Sequence, residues 1–298
     1  MIRHLRHTDI DKTAWDTHLA RCPQRHWYGL SATLDAACPG WDALVDETTG
    51  ARMPLPWNRK WGIAYVYQPF LLQHCGPYAL APGPRDAQRF LEALPRSFRY
   101  VDICLNGEAE LTTITAQRNV TVDLRSSMDL IRGRYSDNLR RNLRRTEEAA
   151  AGWDAELGVD ELGAFLEASA QFRQWGIDAR RSAVMRRVFA LAKAQGTALV
   201  RGVRTGGTLV AGALFVNWGG RLIFLKGLAN ERGRAMRAMH YLLDRVIAEH
   251  AGQELTLDLA GGNDPDLARF YLGFGGEQSV YLRATLNRLP PIIRLLKA

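Results

Sequence analysis

The order of predicted helices and strands repeats once along the chain, and this repeat constrains the fold more than any single motif does. In each half of the 298 residues, two helical segments precede three short strands, a further helix and another strand. The halves share no evident sequence identity. A repeated order of this kind predicts two similar domains, at residues 1–125 and 126–298, each an α/β fold with a mixed (α+β) sheet.

Composition and charge narrow the class of protein. Hydrophobic residues make up 47% of the chain and charged residues 23%, as in ordinary globular proteins. No apolar run reaches the roughly 18–20 residues of a membrane span, and the opening MIRHLRHTDIDK is too polar for a signal peptide, so we expect a cytoplasmic protein. The net charge of +8, carried mainly by arginine, favours anionic partners.

The cysteines and histidines give no metal-binding spacing. Cys22, Cys38, Cys75 and Cys104 are scattered, and the seven histidines form no cluster in the sequence. We therefore expect buried, reduced thiols and no metal site.

The segment between the halves, SSMDLIRGRYSDNLRRNLRRTEEAAAGW, predicts one long amphipathic helix. Ser126-x-x-Asp129 is typical of a capping box. Apolar side chains recur at every fourth position: Ile131, Tyr135, Leu139 and Leu143. Arginines cover the remaining faces: Arg134, Arg140, Arg141, Arg144 and Arg145. This surface is either a solvated linker or a wall of a site for a phosphate-bearing ligand.

The stretch FLKGLANERGRAMRAMHYLL reads as a strand, a short loop and a long helix over about Arg234–His250. A helix start leaves backbone N–H groups unpaired and carries partial positive charge, which suits a phosphate. Arg232, Arg234 and Arg237 add charge there. The other interpretation is an ordinary strand–loop–helix junction.

The stretch LARFYLGFGG follows a helix start at Asp264-Pro265. Gly273 and Gly275 suit the end of that helix and a sharp turn into the last strand. Tyr271 would then lie beside the strand ends, where a phenol could donate a proton to a leaving thiolate. The alternative is a half-buried tyrosine with its hydroxyl in water.

Together the two stretches resemble the GNAT N-acyltransferase superfamily. The first is similar to its pyrophosphate loop, Gln/Arg-x-x-Gly-x-Gly/Ala, and the second to its A-x-x-Phe/Tyr-Tyr-x-x-x-Gly-Phe signature. YSDNLRRNLRRTEEA resembles the N-x-R-R-x-x-R-x-A helix of bacterial Fem-like tandem GNAT proteins, the group of the peptidoglycan aminoacyltransferases. The resemblance implies tandem GNAT-like (acyl-CoA N-acyltransferase) domains, with a degenerate N-terminal copy and the donor site in the C-terminal copy.

The resemblance also implies site residues. Tyr271 matches the family's general acid. The donor-binding positions are Leu228, Arg232, Gly233, Arg234, Ala235, Met236 and Arg237. Ala235 stands at the family's first glycine and Arg237 at its second small residue. The guanidinium of Arg237 would crowd backbone amides that approach the pyrophosphate, or bind the phosphates itself, or indicate a donor other than coenzyme A.

Further candidates come from strands and from the arginine-rich segment. Asp258 in LTLDLAG is the candidate general base, with capping of a loop amide as its alternative. Lys226, Arg141 and Arg145 are the candidate substrate-binding residues.

The expected activity is N-acyl transfer from acetyl-CoA or another acyl-CoA, without a metal, to an amine of a small molecule or peptidoglycan precursor. One alternative is a Fem-like aminoacyltransferase that uses aminoacyl-tRNA, with tRNA as partner. The other is a non-catalytic GNAT-fold binding protein. The sequence leaves the oligomeric state open.

Overall fold

A computed structural model describes residues 1–107, 113–148 and 151–290. Its α-helices are α1 Lys12–Arg21, α2 Ser31–Ala37, α3 Asp86–Glu92, α4 Met128–Gly133, α5 Asp137–Glu148, α6 Val159–Ala168, α7 Ala170–Gln174, α8 Ala179–Ala194, α9 Glu231–Ala235, α10 Ala238–His250 and α11 Pro265–Leu272. Its strands are β1 Ile2–Leu5, β2 Asp42–Asp46, β3 Arg52–Leu55, β4 Trp57–Lys60, β5 Ile63–Tyr67, β6 Phe98–Leu105, β7 Ile114–Asp123, β8 Gly152–Asp154, β9 Ala198–Thr205, β10 Thr208–Trp218, β11 Arg221–Ala229, β12 Thr256–Asp258 and β13 Glu277–Asn287.

The chain forms two compact units. The first is built from Met1–Gln117 and from the segment that starts at Val280, and the second from Arg118–Ser279. The first unit is therefore discontinuous in sequence, because the part of β13 from Val280 onward follows the whole of the second unit. The domain bounds 1–125 and 126–298 stay a prediction.

The first unit contains an antiparallel sheet, β1-β2-β3, and the strand series β4-β5-β6-β13. The β2–β3 connection is a turn that contains Thr48, Thr49 and Gly50, and Gly50 adopts a φ of 73° there. β5 and β6 are parallel, whereas β13 pairs antiparallel with β6 from Leu282↔Leu105 to Asn287↔Tyr100. Phe90 of α3 is fully buried in the core beneath these strands.

The second unit orders its strands β7-β12-β11-β10-β9-β8. The β11–β12 pair is parallel and its neighbouring pairs are antiparallel. α10 buries the apolar stripe that its 3.6-residue period predicts, including Leu243, Val246 and Ile247. Both units thus combine helices with a mixed sheet, and the predicted fold class is confirmed.

The predicted long helix between the halves is wrong, because the chain forms α4 and α5 with a break between them. The N–H of Ser136, within the break, donates to the carbonyl of Gly273 at 2.9 Å. The buried stripe continues across the break, since Ile131, Tyr135 and Leu139 are all buried. The capping box is also wrong: α4 is capped at Ser127 without a side-chain hydrogen bond. Residues 149–150 of this segment lie outside the described part.

Further differences concern short strands. β1, β4 and β8 have three or four residues each and were not predicted, because so few residues show no periodicity. The four cysteines are free and buried, as expected. Among the described residues, no helix is both long and apolar enough to cross a bilayer.

Candidate active site

A cleft opens in the second unit where two parallel strands diverge. β11 and β12 pair only at Arg221↔Thr256, Leu222↔Leu257 and Ile223↔Asp258. β11 then continues to Ala229 and stays paired with β10 along its other edge. The backbone groups of residues 224–229 on the β12 side therefore have no strand partner in the described structure. Such an opening at the carboxyl ends of parallel strands is a usual place for a ligand.

A β-bulge lies in the strand that forms one side of this cleft. The β10–β11 register shifts between Leu214↔Lys226 and Phe215↔Phe224, so Leu225 is the extra residue. A bulge bends its strand and redirects backbone groups, and bulges are common next to functional sites. Here it lies at the start of the unpaired segment of β11.

Tyr271 lies against both sides of the cleft. Its ring centroid is 6.4 Å from that of Phe224, the first residue of β11 beyond the paired part. On the other side is Gly261 in the loop after β12, where an added Cβ would lie 3.6 Å from the Tyr271 ring. The helix that carries Tyr271 starts as predicted, because the Asp264 carboxylate accepts the Leu267 N–H at 2.8 Å and Pro265 occupies the first turn.

The environment of Tyr271 keeps its phenol neutral. The side chain is only 4% exposed, and burial raises its pKa above the usual value. Its hydroxyl has no hydrogen-bond partner within the ranges that the structure describes. A neutral phenol without a partner is a proton donor that is free to serve a bound molecule.

Asp258 is buried at the end of β12 and its carboxylate already has partners. Oδ1 accepts from Asn119 Nδ2 at 2.8 Å and from the Ala260 N–H at 3.0 Å, and Oδ2 lies 3.5 Å from Arg221 Nη1. Asn119 Oδ1 in turn accepts the Gly261 N–H at 3.0 Å. These bonds fix the loop after β12, which includes Ala260 at a φ of 49°. Asp258 thus caps a loop amide, and its role as general base stays a prediction.

The helix predicted over Arg234–His250 is wrong in its start, since α9 and α10 are separate. The Asn230 side chain caps α9 through the Gly233 N–H at 2.9 Å. The chain then turns at Arg237, whose φ of 62° is in the left-handed region. This conformation is costly for a residue with a Cβ and is most often taken by glycine. α10 starts at the next residue, with its first N–H groups beyond the reach of intrahelical acceptors.

Gly233 allows α9 to pack closely on the sheet. A Cβ at this position would lie 2.2 Å from the carbonyl oxygen of Val210 on β10. Since that atom is backbone, no side-chain rotation could relieve the clash. The packing of Gly233 therefore fixes where the α9–α10 junction lies at the end of β11.

Polar side chains of α5 hold the α9–α10 junction in place. Thr146 Oγ1 donates to the carbonyl of Met236 at 2.8 Å. Asn142 Nδ2 lies 3.2 Å from His240 Nε2, and the His240 ring packs edge-on against Phe270 at 4.7 Å. Burial, and secondarily the charge of Arg237, lowers the pKa of His240 to about 4, so the neutral ring accepts from Asn142.

Sequence reasoning missed this set of residues. Its signal was present: Asn142 and Thr146 are spaced i, i+4 within the arginine-rich helix and face the same way as the apolar stripe. Both are buried, whereas Arg141 and Arg145, each one position earlier, are exposed.

The remaining predicted donor residues differ in exposure. Leu228 is buried in β11, Met236 packs against the core and Ala235 is exposed. Arg234 Nη1 donates to the Ala229 carbonyl at 3.1 Å, and Arg232 Nη2 lies 3.4 Å from Thr205 Oγ1. These residues surround the end of β11.

Lys226 lies beside an aromatic ring. Its Nζ is 3.9 Å from the ring centroid of Trp175, which follows α7. Burial lowers its pKa to about 8.

Taken together, these contacts bring Tyr271, the free edge of β11 and the α9–α10 junction close to one another. Among the other candidate site residues, Lys226, Asp258, Arg141 and Arg145 have no described contact with Tyr271.

Comparisons with known proteins fit this arrangement. Residues 133–266 match the model of the Acetyltransferase (GNAT) domain. The chain is similar to the crystal structure of FemX, with a TM-score of 0.67, 11% identity and coverage of 97% of this chain and 99% of that one. A tandem GNAT protein from the clavulanic acid biosynthesis pathway gives a TM-score of 0.55 and 14% identity over 97% and 99% of the two chains.

A GNAT-family acetyltransferase from Colwellia psychrerythraea gives a TM-score of 0.53 and 10% identity over 96% of this chain and 99% of that one. No match was found among curated proteins. At these identities the structural neighbours establish the shared fold, and the domain match supports acyl transfer as the general chemistry.

Proposed function

We propose that this chain transfers an acyl group from acyl-CoA to an amine, because residues 133–266 match the Acetyltransferase (GNAT) domain model and the chain shares its fold with FemX and with a tandem GNAT protein. The observation that carries the proposal is the position of Tyr271 between Phe224 and Gly261, at the diverging ends of β11 and β12. A thioester in this cleft would have a proton donor on one side and a free strand edge on the other.

The reaction needs little from the protein beyond orientation, polarisation and one proton. The acceptor amine attacks the thioester carbonyl, a C–N bond forms and the C–S bond breaks. Free N–H groups of β11 polarise the carbonyl oxygen, and the Tyr271 hydroxyl gives its proton to the leaving thiolate. The proton lost by the attacking ammonium restores the phenol. Holding both substrates in one cleft supplies much of the acceleration.

The donor's phosphates fit the α9–α10 junction in this proposal. The first N–H groups of α10 and the side chains of Arg234 and Arg237 supply hydrogen-bond donors and positive charge. Arg237 takes the left-handed conformation, so its backbone is placed as a glycine's would be and its exposed guanidinium is free to contact a phosphate. The acceptor is proposed to be a small-molecule or peptidoglycan-precursor amine.

A second candidate donor, aminoacyl-tRNA, is favoured by the exposed arginines of α5. Leaving aside residues 147 and 148, whose side chains the structure does not describe, Arg141, Arg144 and Arg145 make no ion pair with a described acidic side chain. Such unpaired guanidinium groups suit a polyanionic backbone.

Thermal unfolding with a panel of donors tests the proposal. We expect acetyl-CoA or a longer acyl-CoA to stabilise the protein by about 2.7 kcal/mol at 100 times its Kd. S-acetylpantetheine, which lacks the phosphates, is the matched control and should stabilise it less at equal concentration. Release of free thiol in the presence of amines then separates an enzyme from a binding protein. If charged tRNA stabilises the protein and no acyl-CoA does, aminoacyl-tRNA replaces acyl-CoA as the proposed donor.

A further inference from the structure

The first unit contains a groove of about 680 Å³ that has no part in the chemistry above. It lies between the tip of the β4–β5 hairpin, the start of β6 and the end of β13. Its lining residues are Arg59, Trp61, Gly62, Ile63, Ala64, Ser97, Arg99, Arg288, Leu289 and Pro290. Three of them are arginines, and none of these described lining residues is acidic.

The three arginines of the groove have no acidic partner among the described residues, whereas Arg283 on the neighbouring strand has one. Arg283 and Asp102, on β13 and β6, form a two-bonded pair at 2.7 and 2.8 Å. By contrast, Arg59, Arg99 and Arg288 make no ion pair within residues 1–107, 113–148 and 151–290. Like charges gathered without a counterion repel one another, so an anion bound among them is stabilised.

The backbone and side chain of Arg288 are partly fixed before any ligand binds. Its N–H donates to the Arg99 carbonyl at 2.8 Å. This backbone hydrogen bond links two of the three arginines directly. Its Nη1 lies 3.4 and 3.5 Å from the carbonyl oxygens of Leu94 and Pro95. Most of the guanidinium N–H groups remain available, since a guanidinium has five of them.

An exposed aromatic ring stands at the rim. Trp61 is 82% exposed at the hairpin tip, with the Lys60 ammonium 4.6 Å from its ring centroid. An exposed indole next to cations offers an apolar face with a polar edge to the organic part of an anionic ligand.

We propose that this groove binds a phosphate group of a phosphorylated ligand through Arg59, Arg99 and Arg288, while Trp61 contacts the ligand's organic part. Arginine is the residue best suited to phosphate, because its planar donors match two phosphate oxygens at once. A phospholipid headgroup and a soluble phosphate ester share this chemistry.

Two probes distinguish these sources. Inorganic pyrophosphate is titrated by calorimetry, and sedimentation measures binding to vesicles of phosphatidylglycerol with phosphatidylcholine against vesicles of phosphatidylcholine alone. The double variant Arg59→Gln/Arg99→Gln should weaken whichever interaction occurs by about tenfold or more, since it removes two charged hydrogen-bond donors.

The matched control is Arg21→Gln/Arg85→Gln. It removes the same charge from exposed positions of the same unit outside the groove. Trp61→Ala should weaken vesicle binding and leave pyrophosphate binding unchanged. Thermal unfolding of each variant checks that the fold is kept.

Either probe supports the proposal if the groove variant loses binding and the control keeps it within about twofold. Vesicle binding without pyrophosphate binding assigns a lipid headgroup, and the reverse assigns a soluble ligand. Absence of binding to both probes, or equal losses in the groove variant and the control, would overturn the proposal.

Discussion

The phenol of Tyr271 contacts one diverging strand through Phe224 and the loop after the other through Gly261. Burial raises its pKa, so the hydroxyl remains protonated throughout the neutral range. Tyr271 should therefore contribute to the rate by donating a proton, and the pH dependence of kcat should show no ionisation of this phenol near pH 7–9.

Replacing the hydroxyl alone tests this role. We expect Tyr271→Phe to lower kcat by roughly 10²–10⁴-fold, the usual contribution of a general acid, with little change in acyl-CoA affinity. Steady-state kinetics and calorimetric titration of the donor measure the two quantities. Phe270→Leu, a change on the neighbouring ring that keeps the phenol, is the control. Unchanged turnover in the phenylalanine variant would remove Tyr271 from the mechanism.

The backbone of Arg237 carries strain that its side chain does not explain. A residue with a Cβ pays roughly 1–2 kcal/mol for the left-handed region, and glycine avoids most of this cost. We expect the unfolding free energy of Arg237→Gly to be about 1 kcal/mol higher than that of Arg237→Ala. Both variants lack the guanidinium, and only the alanine variant keeps the Cβ. Denaturant unfolding measures the difference.

The same two variants decide between the interpretations of this position. If the guanidinium binds the donor's phosphates, both variants lose acyl-CoA affinity relative to the wild type. If it crowds the phosphates, both variants gain affinity. Equal unfolding free energies for the two variants would contradict the strain argument.

At the scale of elements, α9 can pack closely on β10 because Gly233 has no Cβ to clash with the Val210 backbone. Gly233→Ala places a Cβ 2.2 Å from the Val210 carbonyl oxygen, so the strand or the helix must move. We expect a loss of roughly 2–3 kcal/mol in unfolding free energy, in the range of overpacked cores, together with weaker donor binding. Thermal and denaturant unfolding give the first quantity, and donor titration gives the second.

Gly163→Ala is the matched control for this change. Gly163 lies inside α6, and a Cβ there has no neighbour within 4 Å. Alanine should stabilise that helix by roughly 0.5–1 kcal/mol. A Gly233→Ala protein as stable as wild type would show that α9 tolerates displacement from β10.

The elements also show how far sequence reasoning reaches. Strands β9, β10 and β11 and the capped start of α11 follow from local patterns of alternation, turns and caps. The breaks before α5 and before α10 could not be predicted in this way. The first coincides with a hydrogen bond between Ser136 and Gly273, which are distant in sequence, while the apolar period continues undisturbed.

The sequence points to candidate site residues but does not identify the side chains that hold them in place. Tyr271 and the α9–α10 junction carry a motif, so the sequence reveals them. Asn142, Thr146 and His240 carry no motif. Their role is recognised only from their hydrogen-bond partners, which the sequence does not give. The proposed roles of these site residues stay predictions.

At the scale of the whole molecule, the net charge of +8 and the arginines of α5 leave the donor to be decided by experiment. A tRNA donor would make several phosphate contacts, and with 6–10 of them its affinity falls by roughly 10³–10⁵-fold between about 50 and 200 mM salt. We expect the binding of acyl-CoA, which has few phosphates, to change far less over this range.

Arg141→Gln/Arg145→Gln gives the matching comparison. If acyl-CoA is the donor, its affinity in this variant should remain within a few-fold of wild type, as measured by titration at both salt concentrations. Saturable tRNA binding at physiological salt that the variant loses would favour the aminoacyl-tRNA alternative.

The discontinuity of the first unit has a consequence for biosynthesis. The residues of β13 that pair with β6, Leu282–Asn287, leave the ribosome only after all of Arg118–Ser279 has been made. One edge of β6 therefore stays without its β13 partner until the residues from Val280 onward have been made. The first unit, although its synthesis starts first, is thus expected to complete its sheet only at the end of translation.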